Sequence, residues 1–100
     1  MQRTVLITGC STGIGAALAA ELHRRGNRVY ATARRLETLA PLAALGLQTH
    51  ALDVNDDASI AAVMARVEGE AGRLDILVNN AGFSQVGAVV DLTREDLRRQ

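Results

Sequence analysis

The sequence predicts an α/β fold in which a parallel sheet carries helices on both faces, and it holds the first half of such a sheet. Two observations carry this prediction. Short apolar runs of β type alternate with longer stretches of helical period, in the order β-α-β-α-β-α-β. A glycine-rich turn, Thr8-Gly9-Cys10-Ser11-Thr12-Gly13-Ile14-Gly15, joins the first run to the first helical stretch.

The first strand is expected over residues 3–8, around Val5-Leu6-Ile7. The helix after it, centred on residues 16–25, is expected to turn Ile14, Ala17, Leu18 and Leu22 inward and to stop at Gly26. Residues 28–33 form the second strand. A weaker helix over 36–45 is interrupted by Pro41 and closed by Gly46, and residues 47–52 return as the third strand. The third helix is the clearest, because Ile60, Val63, Met64, Val67 and Ala71 recur at helical spacing between Asp56-Asp57 and Gly72. Residues 75–79 form the fourth strand. Right-handed crossovers between parallel strands give the spatial order 3-2-1-4 and place the ligand crevice beside strands one and four. A loop over 82–91 follows, and Thr93-Arg94-Glu95-Asp96 has the form of a capping box opening another helix. Residues 1–100 therefore read as the N-terminal dinucleotide-binding part of one domain, apparently truncated, with Ile76, Leu77 and Val78 on an unpaired edge that favours oligomers or weak folding.

The chain has 100 residues, is 48% hydrophobic and has a formal net charge of zero. Eighteen consecutive apolar residues occur nowhere, and no signal peptide is visible, so the expectation is a cytoplasmic protein without a membrane partner. The arginines lack interleaved aromatics, which argues against nucleic acid. One cysteine and two separated histidines offer no metal cluster. Cys10 stands near a helix N-terminus, which suits either a redox-active thiol or a small loop filler.

Glycine is needed three times in a dinucleotide-binding turn: at the bend off the strand, where backbone meets pyrophosphate, and where helix packs on sheet. Gly9, Gly13 and Gly15 fit those roles, with Ser11, Thr12 and Ile14 completing the turn, so the half-sheet is of Rossmann type. Arg34 stands nineteen residues beyond Gly15, where a carboxylate would select NAD(H) through the ribose hydroxyls. An arginine fork suits the 2′-phosphate, so NADP(H) is preferred with NAD(H) as the alternative, and Arg35 is placed to stack on adenine. A solvated arginine pair is the competing explanation.

The G-x-x-x-G-x-G spacing of Gly9, Gly13 and Gly15 resembles that of the short-chain dehydrogenase/reductase family. Arg34, Asp53-Val54 and Asn79-Asn80-Ala81-Gly82 match the family's further marks in order, and residues 9–15 and 29–35 look most like its 17β-hydroxysteroid dehydrogenase-like carbonyl reductase branch. The resemblance implies that Asp53 accepts from the adenine amino group while the backbone of Val54 meets the ring edge; a helix-start carboxylate is the other role open to Asp53. It also implies that Asn80, with Ala81 and Gly82, lines the cofactor cleft, and that Asn79 ties strands together. Family chemistry is hydride transfer between nicotinamide and a small carbonyl or alcohol substrate, using a tyrosine, a lysine, a serine and an asparagine expected beyond Gln100. The chain contains no lysine, and its only tyrosine, Tyr30, lies within a strand, so no residue here is assigned a catalytic role. Homo-oligomers are the family expectation. A non-catalytic dinucleotide-binding fragment or regulator is the alternative, and a methyltransferase of similar topology is disfavoured by Arg34 and the Asn-Asn-Ala-Gly run.

Overall fold

A computed structural model of the chain describes residues 2–11, 13–80 and the backbone of 89–91. Strand β1 (Thr4–Ile7) pairs in parallel with β2 (Arg28–Ala33) on one side and β4 (Ile76–Val78) on the other. Strand β3 (Gln48–Ala51) extends the sheet beyond β2, giving the expected 3-2-1-4 arrangement. A fifth strand, β5 (Val89–Asp91), runs antiparallel to β4. The expectation of an unpaired fourth strand is thereby corrected. Three residues are too few for alternation to distinguish strand from loop, and their pairing partner lies outside the local pattern.

All four residues of β1 are buried, as a central parallel strand covered on both faces requires. Val5, Ile7, Val29 and Ala31 point to one face, where α1 (Gly13–Arg24) and α2 (Ala40–Ala44) complete the core through Ala19 and Leu42. Leu6 and Tyr30 point to the other, against Val63 and Val67 of α3 (Asp57–Ala71). The period of two along the strands thus assigns each helix its face.

In α1 the inward positions are Gly15 and Ala19, with Leu18 and Leu22 partly buried, whereas Ile14 is 60% exposed and Ala17 is exposed. Leu18 and Leu22 thus pack against the core as expected, while Ile14 and Ala17 do not, because the helix makes its closest approach through the small residues Gly15 and Ala19. Pro41 also departs from expectation: it occupies the first turn of α2, where its missing N–H costs nothing, after a 3-10 turn at Leu36–Leu39. Helix α3 behaves as expected, with the Asp56 carboxylate accepting from the Ala58 N–H at 3.0 Å and Gly72 ending it at φ 74°. Tyr30 donates its hydroxyl to Glu70 Oε1 at 2.8 Å, and Arg66 lies over its ring. Burial first, then the Glu70 carboxylate, pushes the phenol pKa up.

Opposite the C-terminal ends of the strands, Asp75 anchors the start of β4. Its Oδ2 accepts from the Thr4 N–H at 2.7 Å, and Arg73 holds its Oδ1. Burial pushes this carboxyl up, but the Thr4 N–H and Arg73 together outweigh it and hold the pKa below the usual value. A depressed folded pKa contributes stability above the unfolded value of about 3.9, and this is lost as pH falls through the folded value. Asp75→Asn is therefore expected to lower unfolding free energy by about 1–3 kcal/mol at neutral pH. Urea titrations at stepwise lower pH should show the gap closing; a gap independent of pH would remove the charge from this account.

Candidate functional site

The C-terminal ends of the parallel strands converge on an open cleft of about 810 Å³. The turn after β1 contributes Gly9 and Ser11, and the end of β2 contributes Ala33, Arg34 and Arg35. Asp53, Val54 and Asn55 come from the segment after β3, and Asn80 from the end of β4. A crevice of this kind lies at the point where strand order reverses, between the 1-2-3 and 1-4 halves of the sheet.

The turn is stitched to both neighbouring strands. The Thr8 N–H donates to Val78 O at 3.0 Å, and the Cys10 N–H to Thr32 O at 2.9 Å. Thr8 Oγ1 donates to Asn79 Oδ1 at 3.2 Å and accepts from the Asn80 N–H at 2.7 Å, so Asn79 is the tie between strands that the sequence suggested. Asn80 faces the cleft while its amide donates weakly, at 3.4 Å, to Gly9 O.

The glycines of the motif answer to two different physical demands. Gly9 and Gly13 have φ of 69° and 66°, in the left-handed region that side chains disfavour. Gly15 instead answers to packing: a Cβ there would stand 2.4 Å from Gly9 O and 2.7 Å from Asn80 Nδ2. Helix α1 thus reaches the turn only because position 15 has no side chain.

Cys10 is buried, with its Sγ toward Ile7 O at 3.3 Å, and burial pushes its thiol up to about 11 despite a backbone hydrogen bond from Thr32 that opposes the shift. Burial and the raised pKa both disfavour a reactive thiolate, and Cys10 packs as a small loop filler. His23 in α1 reaches Leu45 O at the end of α2 at 2.9 Å, and His50 reaches Ala51 O next to it at 2.7 Å. Among the described residues no group of three or more His, Cys, Asp or Glu could hold a metal, and no helix is long and apolar enough to cross a membrane.

The structure therefore brings Gly9, Ser11, Arg34, Arg35, Asp53, Val54 and Asn80 to one cleft. Thr12, Ala81 and Gly82 lie outside the described residues. Ile14 sits exposed in the first turn of α1. Sequence reading missed Thr38, which lines the cleft and donates its hydroxyl to Arg35 O at 2.6 Å. A threonine hydroxyl back-bonding a carbonyl three residues earlier is a common local tie, and it carries no mark of cofactor binding. Asn55 also lines the cleft, and its N–H donates to Asp53 Oδ1.

A half doubly wound sheet with a glycine turn and a cleft at its switch point defines the Rossmann-type class. The short chain dehydrogenase family model matches residues 3–100, and the chain belongs to that family. It is 44% identical over 100 residues to an NADPH-dependent 1-acyldihydroxyacetone phosphate reductase of Schizosaccharomyces pombe, an alignment covering 98% of this chain and 34% of the relative. A crystal structure of a short-chain dehydrogenase from Streptomyces avermitilis superposes with a TM-score of 0.78 at 43% identity, covering 87% of this chain and 33% of that one. A metagenomic short-chain oxidoreductase in complex with NADP gives 0.71 at 41% identity, covering 81% and 39%. The chain thus spans about a third of the length of these relatives.

Proposed function

We propose that this chain is the NADP(H)-binding portion of an oxidoreductase that transfers a hydride between nicotinamide and the carbonyl or alcohol carbon of a small substrate. The observation that carries the reading is the pair Arg34 and Arg35 at the end of β2, on the cleft wall where a carboxylate would favour NAD(H). The names of two similar proteins, one NADPH-dependent and one solved with NADP, support the same coenzyme.

When bound, the nicotinamide supplies or accepts the hydride; the residues here bind and orient. Gly9, Ser11, Gly13, Ile14 and Gly15 present the opening of α1 to the pyrophosphate, where backbone N–H groups and the helix dipole favour negative charge. Arg34 takes the 2′-phosphate as a charge-assisted partner and Arg35 lies against adenine. Asp53 and Val54 meet the adenine edge, and Asn80 borders the nicotinamide ribose. Thr12, Ala81 and Gly82 join this set from sequence alone. A homo-oligomer, supported by family resemblance, in the cytoplasm completes the reading.

Isothermal titration calorimetry with NADPH and NADH tests it. NADPH is expected to bind at least tenfold more tightly than NADH. Equal affinities would overturn the NADP(H) assignment, and no binding of either would overturn the dinucleotide reading.

A further inference from the structure

Asp53 joins three segments of the cleft wall. Its backbone N–H donates to Ser59 Oγ in the first turn of α3 at 3.0 Å, which fixes the chain after β3 to the helix. Its Oδ1 accepts from the Asn55 N–H at 2.9 Å. Its Oδ2 faces Arg34 Nη2 at 3.9 Å across the cleft. The N-terminus of α3 is capped by Asp56, so Asp53 is not needed there.

The two partners differ in freedom. Asp53 is held by its own backbone bond and by the Asn55 N–H, and its side chain is 38% exposed. The Arg34 side chain is 79% exposed and rotates about several bonds. An anchored carboxylate therefore faces a guanidinium that is able to swing. Any anion that takes Arg34 draws it from Asp53, since both present oxygens to the same fork of N–H donors.

We propose that Asp53 is a specificity-determining residue: its carboxylate is the resident counter-ion of Arg34 and competes with the coenzyme's 2′-phosphate for that guanidinium. The inference rests on the NADP(H) reading above. Its consequence is that the native cleft discriminates between phosphorylated and unphosphorylated coenzyme less sharply than its arginines alone would. An exposed pair at this distance is weak, so the effect on the NADPH-to-NADH affinity ratio is about two- to fivefold.

The test is calorimetric binding of NADPH and NADH to the unmodified protein, Asp53→Asn, Arg34→Ala and the double variant. Asparagine keeps an oxygen for the Asn55 N–H and for the adenine amino group. Any loss at adenine cancels in the ratio, because both coenzymes carry adenine. The expected result is a two- to fivefold rise in NADPH preference in Asp53→Asn that vanishes when Arg34 is also alanine. An unchanged ratio in Asp53→Asn overturns the proposal. So does an equal rise in the Arg34→Ala background, which would mean direct repulsion between carboxylate and phosphate. Should Asp53→Asn fail to fold by circular dichroism, Asp53→Ser removes the charge while keeping a hydroxyl acceptor, and the same outcomes apply. Equal binding of the two coenzymes by the unmodified protein would instead overturn the NADP(H) reading beneath it.

Discussion

Gly15→Ala is expected to destabilise the protein by about 1–3 kcal/mol and to weaken coenzyme binding in the same variant. Alanine is the better helix former by about 1 kcal/mol, so propensity alone predicts the opposite sign. Packing decides the outcome. The added methyl would lie 2.4 Å from Gly9 O, a backbone carbonyl in a turn tied through Thr8 and Cys10 to β4 and β2. Such an atom cannot rotate away as a flexible side chain would. Relief requires α1 to retreat from the turn, which shifts the N–H groups proposed to face the pyrophosphate. Gly69 provides the control, because it lies within α3 and a Cβ there would meet nothing within 4 Å. Gly69→Ala should stabilise the protein by about 0.5–1 kcal/mol with binding unchanged. Denaturant unfolding and calorimetry on both variants check the pair; a stabilised Gly15→Ala would contradict the packing account.

How much of this was legible in the sequence depended on whether each signal was local. Helix α3 was readable because its cap, its apolar stripe and its terminal glycine all lie within residues 56–72 and agree with one another. Strands β1, β2 and β4 were readable as apolar runs between turn signals, the more polar β3 as the return after Gly46, and their order followed from connection rules. The inward face of α1 was only half right: Leu18 and Leu22 pack against the core, but the close approach of the helix to the glycine turn demands Gly15, Ala19 is the buried position beside it, and Ile14 stays outside. Strand β5 was missed because three residues gain strand character only from their pairing with Ile76–Val78. Within the cleft, the motif positions Gly9, Arg34, Asp53 and Asn80 were found, since each follows a strand at a recognisable spacing. Thr38 was not: its hydroxyl bonds a carbonyl three residues earlier, a role open to any threonine in a turn, so its residue type does not mark it as part of the cleft.

Arg34→Ala is expected to weaken NADPH binding about 10–100-fold while leaving NADH within a factor of about two, because a bond to a charged group contributes about 1.5–3 kcal/mol. The geometry bounds the effect from both sides. The side chain is 79% exposed, so solvent and salt screen it, which favours the lower part of the range and makes the NADPH preference fall with ionic strength. Its nearest described counter-charge is Asp53 at 3.9 Å, too loose to hold the guanidinium against a bidentate phosphate. Arg34→Lys separates charge from shape: it keeps the positive charge but loses the planar fork, so its loss should fall between the native protein and alanine. Arg35→Ala should instead weaken both coenzymes alike, since adenine is common to them. The carbonyl of Arg35 is held by Thr38 Oγ1 at 2.6 Å, which keeps the Arg34 backbone in place when the neighbouring side chain is removed. Matched losses of NADPH and NADH in Arg34→Ala would show that Arg34 supports the cleft rather than reading the phosphate, and would move the coenzyme preference to another residue.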